Sequence, residues 1–253
     1  MAEESTDNKM SRRQFLKNSG YVAGGVVGGG IIGGLVTNQF QSGAPTQDQS
    51  QQEGGQATQD FSRALTYFSR REDFDVLSQM TELIYPSDDN GPGAIELGAA
   101  FYIDKQLSGA WGHNAREYMQ GPFHEGEPTQ GYQSRLKRHE LIFQGIQKVK
   151  QYSQSNYDAS FLDLEEEQQI EILTAFENGE VEIDGAPNEQ FFALIRAATL
   201  EGVYADPLYG GNRNMDGWRM KEYPGNKMSY INEIDSGEFY DEEPSSLNAH
   251  MDQ

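Results

Sequence analysis

The sequence predicts an all-α protein. Five segments carry apolar residues at helical spacing between start and stop signals, strand signals are nearly absent, and the pattern gives way at Gly202 to a glycine-rich arm. The expected architecture is a small bundle of about five helices with a long irregular C-terminal arm. A signal segment and a disordered linker precede it. The resulting divisions are residues 1–44 (signal or retained membrane tether), 45–65 (linker), 66–235 (helical domain) and 236–253 (acidic tail).

Ser69-Arg-Arg-Glu72 reads as a capping box opening the first helix, whose apolar positions Phe74, Leu77, Met80, Leu83 and Ile84 run up to Pro86. The turn SDDNGPG (Ser87–Gly93) stops it, and Asp88 and Asp89 read there as turn formers rather than as a catalytic pair. Ala94–Leu107 is expected as a second helix with Leu97, Ala100, Phe101, Ile103 and Leu107 inward. A Gly-, His- and Pro-rich loop (Ser108–Gly131) follows, in which Trp111 and Gly121-Pro122-Phe123 suit either a satellite core or interface anchors. The third helix is predicted over about Tyr132–Tyr152, with Leu136, Phe143, Ile146 and Val149 along one stripe.

Asp163-Leu-Glu-Glu166 is the expected cap of a fourth helix carrying Ile170, Leu173 and Phe176, and Asn178-Gly179 its stop. The acids Glu165, Glu166 and Glu167 would complement the dipole of its first turn. Pro187 is expected to open a fifth helix that buries Phe191, Phe192, Leu194, Ile195 and Ala198. The best strand candidate is the short Val181–Ile183.

A formal net charge of −21 argues against nucleic acid as a partner, because a phosphate-binding surface needs clustered cations. The absence of cysteine excludes disulfides, thiolate metal sites and the attachment motif of a c-type haem on this chain. The four histidines, His113, His124, His139 and His250, have no metal-ligand spacing and read as surface residues. No glycine-rich nucleotide loop, P-loop or nucleophile elbow is present, so no catalytic, cofactor-binding or metal-binding residue is assigned.

Near the N-terminus, Ser11-Arg12-Arg13-Gln14-Phe15-Leu16-Lys17 precedes a weakly apolar run with seven glycines between Tyr21 and Val36. Paired arginines before Phe-Leu-Lys match the twin-arginine export pattern, a route that carries folded cargo. Gly25, Gly29 and Gly33 would also suit helix packing in a membrane anchor, although the run is shorter than the roughly 20 residues a span needs. The expected location is outside the cytoplasm, at the cytoplasmic membrane.

The arm Glu201–Gly225, EGVYADPLYGGNRNMDGWRMKEYPG, concentrates the chemistry that remains. Glu201, Asp206 and Asp216 could serve acid–base work on a sugar in a stand-alone exported enzyme, and a membrane-tethered binding module is a third reading. Alternatively, the five glycines lay backbone against a surface, and the Tyr, Trp and Arg content suits an interface.

At this arm the sequence resembles the small subunit, called subunit 3 or gamma, of gluconate 2-dehydrogenase and related membrane-bound FAD-dependent sugar and sugar-acid dehydrogenases. The resemblance covers roughly residues 66–230 and rests on TELIYPSDDNGPGAIELGAAFYIDKQLSG (Thr81–Gly109), the GPF after it, FLDLEEEQQIEIL (Phe161–Leu173) and the arm itself. It implies a non-catalytic subunit without a cofactor of its own. FAD is then expected in a large partner subunit, a c-type cytochrome in some complexes takes the electrons, and the twin-arginine translocase exports the pair. The partner-facing residues it suggests are Tyr204, Asp206, Pro207, Tyr209, Gly210, Gly211, Asn212, Arg213, Trp218, Arg219, Pro224 and Gly225.

Overall fold

Phe74, Leu77 and Met80 do fall on one helical face, and in a computed structural model that helix, α1 (Arg71–Ile84), buries them completely or nearly so. The structure describes residues 63–124, 126–127, 129–132, 134–237, 239 and 241–250. The signal segment, including Ser11–Lys17, and most of the linker lie outside these. Among the described residues the fold is helical throughout, without strands: after α1 come α2 (Ala94–Leu97), α3 (Ala99–Ser108), α4 (Arg138–Tyr157), α5 (Glu166–Glu177), α6 (Gln190–Tyr204) and α7 (Asp216–Arg219). The all-α expectation holds, and the differences from the expected bounds each have a physical cause.

The capping box at Ser69 does not form. The N-cap is Arg70, without a side-chain cap bond, because Glu72 reaches across to Lys150 Nζ at 2.7 Å instead of back to its own helix. Asp88 behaves as a turn former, its carboxylate accepting from Asn90 N at 2.8 Å. The helix expected over Ala94–Leu107 is two helices, since Gly98 takes a left-handed conformation (φ 77°, ψ 25°) that closes α2 and redirects the chain into α3.

The third helix starts at Arg138 rather than Tyr132. Residues 134 and 135 are drawn off to Gly185, whose carbonyl accepts from Ser134 Oγ at 3.0 Å and Arg135 N at 3.2 Å. Glu140 then returns to Lys137 N at 2.8 Å as the cap. Phe143 falls on the outer face, 42% exposed, because Leu141, Ile142, Ile146 and Val149 set the core stripe and Phe143 lies about 100° further round from Ile142.

The fourth helix is capped by Glu165, not Asp163, because Phe161–Asp163 forms its own tight turn and Gln168 reaches back to Glu165 N at 3.1 Å. Glu166 and Glu167 lie in the first turn as expected. Pro187 sits in a turn before the fifth helix, its carbonyl accepting from Gln190 N at 3.1 Å. Val181 and Ile183 are buried without forming a strand.

Helix α6 lies centrally and packs on all five helices before it. Its Phe191 meets Phe176 edge-on at 5.2 Å and presses on Gly145 of α4, where any Cβ would stand 2.1 Å from the ring. Two polar clamps cross this apolar body. Asp104, fully buried on α3, accepts from Thr66 N (2.6 Å), Thr66 Oγ1 (2.8 Å), Tyr67 N (3.0 Å) and Phe68 N (2.9 Å), fixing the segment that leads into α1.

The second clamp joins α1 to α4. Buried Asp73 accepts from Lys150 Nζ at 2.9 Å and Gln147 Nε2 at 3.1 Å. Burial alone would raise its carboxyl, but the bonds from Lys150 and Gln147 and the charges of Lys150 and Arg70 outweigh it and hold it below its ordinary value of 3.8. A depressed carboxyl contributes stability that is present above the unfolded value and is lost as pH falls through the folded one. Lys150 runs the other way: burial opposes its charge, but Glu72 and Asp73 raise it above 10.5, so its contribution is complete below that value and disappears as pH rises through the raised one. The expected result is that Asp73→Asn is less stable than wild type in urea at neutral pH, and that the gap closes as pH is lowered below 3.8. A gap independent of pH would mean that the pair carries no net coupling.

Candidate functional site

The arm is folded back on its own helix. After α6 ends at Tyr204, Asp206 caps the short turn Pro207–Tyr209 by accepting from Leu208 N at 2.9 Å, an Asp-Pro start readable in the sequence. Gly210, left-handed at φ 99°, reverses the chain, and Asn212 N donates to Gly202 O at 2.9 Å. Here the glycines allow backbone to touch backbone: a Cβ on Gly211 would lie 2.0 Å from Gly202 O, and one on Gly217 2.2 Å from Val203 O. The surface against which this backbone lies is α6 itself.

Asn212, Trp218 and Gly225 are internal. Asn212 Oδ1 accepts from Gly217 N at 2.8 Å, and Trp218 Nε1 donates to Tyr204 O at 2.8 Å while its ring packs edge-on to Tyr223. Gly225 is tied to Ser245, with Trp218 directly over it. Pro224 and Pro207 are half-buried beside these contacts. Tyr209, Arg213 and Arg219 face outward. Arg219 bonds Asn214 O, pairs with Asp216 at 3.1 Å and reaches Glu243 at 3.4 Å.

Two residues that sequence reasoning did not single out complete the arm. Ser246 Oγ donates to Asp206 Oδ1 at 2.7 Å and Leu247 N to Asp206 Oδ2 at 2.9 Å. Both carboxylate oxygens of Asp206 are thereby engaged in holding the C-terminal segment. No local motif signals a bond between residues 40 positions apart.

Between the arm and α3 lies an open groove of about 460 Å³ lined by Tyr102, Gln106, Glu201, Tyr204, Ala205, Asp206 and Tyr209. Tyr102 OH donates to Glu201 Oε2 at 3.3 Å, and burial together with the Glu201 charge pushes its phenol up to about 12. Beneath the groove, Tyr85 and Tyr204 share a hydroxyl bond at 3.0 Å, and burial and that bond raise Tyr85. Raised in this way, the Tyr85 and Tyr102 phenols stay protonated at neutral pH. Of the three acids considered for acid–base work, Asp206 holds the chain end, Asp216 is paired with Arg219 and Glu201 accepts from Tyr102. The groove offers aromatic surface and hydrogen bonds rather than a free carboxylate pair.

Elsewhere, the sequence-distant His113 and His139 rings lie tilted at 44° with centroids 4.3 Å apart. Burial and the neighbouring His113 lower His139 below its ordinary value. Among the described residues no group of three or more acids or histidines stands ready for a metal ion, and no helix is long and apolar enough to cross a membrane. Trp111 is half-buried and packs against the main apolar cluster, with the Arg138 guanidinium 5.0 Å from its ring.

No curated protein and no solved structure matches the chain. The family model described as gluconate 2-dehydrogenase subunit 3 matches residues 71–225, from the first residue of α1 to the glycine that ends the arm, which is more than half of the chain. The chain therefore belongs to the gluconate 2-dehydrogenase subunit 3 family and is an accessory subunit of a multi-subunit dehydrogenase.

Proposed function

We propose that the protein is the non-catalytic small subunit of a membrane-associated, FAD-dependent gluconate or sugar dehydrogenase, which it binds, stabilises and escorts through the twin-arginine pathway. The observation that carries this reading is the family match, which ends where the arm ends and takes in its outward residues Tyr209, Arg213 and Arg219. The engagement of Asp206 and Asp216 within the chain supports a docking role over catalysis. In this reading FAD belongs to the large partner subunit, and a c-type cytochrome, where the complex has one, takes electrons onward.

The motif Ser11–Lys17 supplies the export half of the proposal. A folded passenger with a bound flavin suits a route for folded cargo. Changing both Arg12 and Arg13 to Lys is expected to leave the large subunit in the cytoplasm when the two chains are co-expressed, measured by fractionation and bound-flavin absorbance. Equal export of the large subunit with the wild-type chain, the double variant or no small subunit at all would end the escort proposal.

A further inference from the structure

Beyond the arm, the chain makes a closed loop whose ends are bolted together. Asn226 N donates to Ser245 O at 2.7 Å and Ser245 N to Pro224 O at 3.1 Å, while Asp206 holds the next two residues. Inside the loop, Lys227 is largely buried, pairs with Glu242 at 2.7 Å and Glu233 at 3.4 Å, and stands over the Tyr230 ring at 5.3 Å. A turn from Tyr230 to Ser236 is closed by Glu233 N and Ile234 N on Tyr230 O (3.0 and 2.9 Å) and by Ser236 N on Glu233 O (3.0 Å). These contacts brace the loop from within, with Lys227 and its partner Glu233 turned inward.

Its apolar groups point the other way. Met228, Ile231, Ile234 and Phe239 are 75, 77, 76 and 95% exposed. A loop braced so that four large apolar side chains remain in water marks an interaction surface. Residues 226–243 also carry six acids against the single Lys227, which is spent within the loop.

We propose that this loop is the docking hook for the large dehydrogenase subunit, entering an apolar groove on that subunit rimmed by Lys and Arg. The inference rests on the accessory-subunit reading above and adds the place of contact. Charge selects this occupant. Exposed Asp235, Asp241 and Glu243 complement a basic rim but repel an anionic lipid surface, and a second copy would bring the same acids in a chain of net charge −21. Because the loop starts where the family match stops, the hook gives this chain a means of recognising its own complex.

The test mixes the purified full-length small subunit with the purified large subunit and reads binding by biolayer interferometry at two salt concentrations. The triple variant I231S/I234S/F239S is expected to bind at least tenfold more weakly with an unchanged thermal midpoint, while F143S, an exposed apolar change on α4, binds as wild type. Raising salt is expected to slow association with little change in dissociation, as rim charges steer encounter. Wild-type affinity in the triple variant overturns the hook and leaves the accessory-subunit reading standing; no binding even by the wild-type chain overturns both. Loop-dependent binding to phosphatidylglycerol vesicles, or loop-dependent dimerisation in sedimentation, with large-subunit affinity unchanged, would also overturn it.

Discussion

Asp104→Ala is expected to lower unfolding stability by about 3–5 kcal/mol, the largest loss for any single side chain outside the apolar core. The carboxylate is fully buried and satisfied by four donors, three of them the consecutive backbone N–H groups of Thr66, Tyr67 and Phe68. Burying a carboxylate is costly, and these bonds are what compensate it. Removing it strands donors in a dry site, and an N–H group left unpaired costs about 1–3 kcal/mol unless the segment moves out to water. Movement is itself expensive, because Phe68 is buried against Phe74 at 6.3 Å and Tyr67 is pinned to His139 O at 2.9 Å.

Urea denaturation followed by far-UV circular dichroism reads the loss. Asp104→Asn, which keeps one acceptor oxygen but turns an NH₂ group toward the same donors, is expected to fall between Ala and wild type. Asp75→Ala is the contrast: its pair with Arg71 is equally short at 2.8 Å but solvent-exposed, so a change within about 0.5 kcal/mol is expected. Equal losses at positions 75 and 104 would mean that burial of the Asp104 network contributes nothing special.

The bundle was legible because burial imposes a period. Phe74, Leu77 and Met80, or Phe191, Ile195 and Ala198, announce a helical face whatever the partner helix is. What escaped depends on contacts between distant segments. Gly98 within a helical pattern reads as tolerated or as a break, and its left-handed turn is decided by the need to bring α2 and α3 around α6. Glu72 satisfies the spacing of a capping box, but Lys150, 78 positions away, claims it. Phe143, three residues before Ile146, joins the predicted stripe, but Leu141 and Ile142 pull the buried face to its other side, and the carbonyl of Gly185 draws Ser134 and Arg135 out of the helix. The arm shows the same division. Its glycines were visible, whereas the identity of the surface beneath it, and the capture of Ser246 and Leu247 by Asp206, were not.

Gly211→Ala tests that surface. An added methyl would stand 2.0 Å from Gly202 O and 2.9 Å from its carbonyl carbon, both backbone atoms of a helix packed on its other side against Ala99. Neither strand of this crossing has a side chain that can swing aside, so the arm must lift. A loss of about 3 kcal/mol is expected, at the upper end for overpacking. The failure should be local, because the bundle retains its main core in α1, α3, α4, α5 and α6 while the arm depends on the Asn212–Gly202 bond and on Trp218 seated under Tyr204 O.

In a Trp111→Phe background, which leaves Trp218 as the sole reporter, the variant should show red-shifted emission with the helical circular dichroism signal nearly intact. Gly109→Ala is the control, since its added methyl finds its nearest neighbour at an ordinary 3.5 Å. Unshifted Trp218 emission together with unchanged stability would refute the close approach as the reason for glycine at this position. If the arm lifts as expected, binding of the large subunit should weaken by more than the stability loss accounts for, because Tyr209, Arg213 and Arg219 hold their outward placement only while Gly211 lies flat on Gly202.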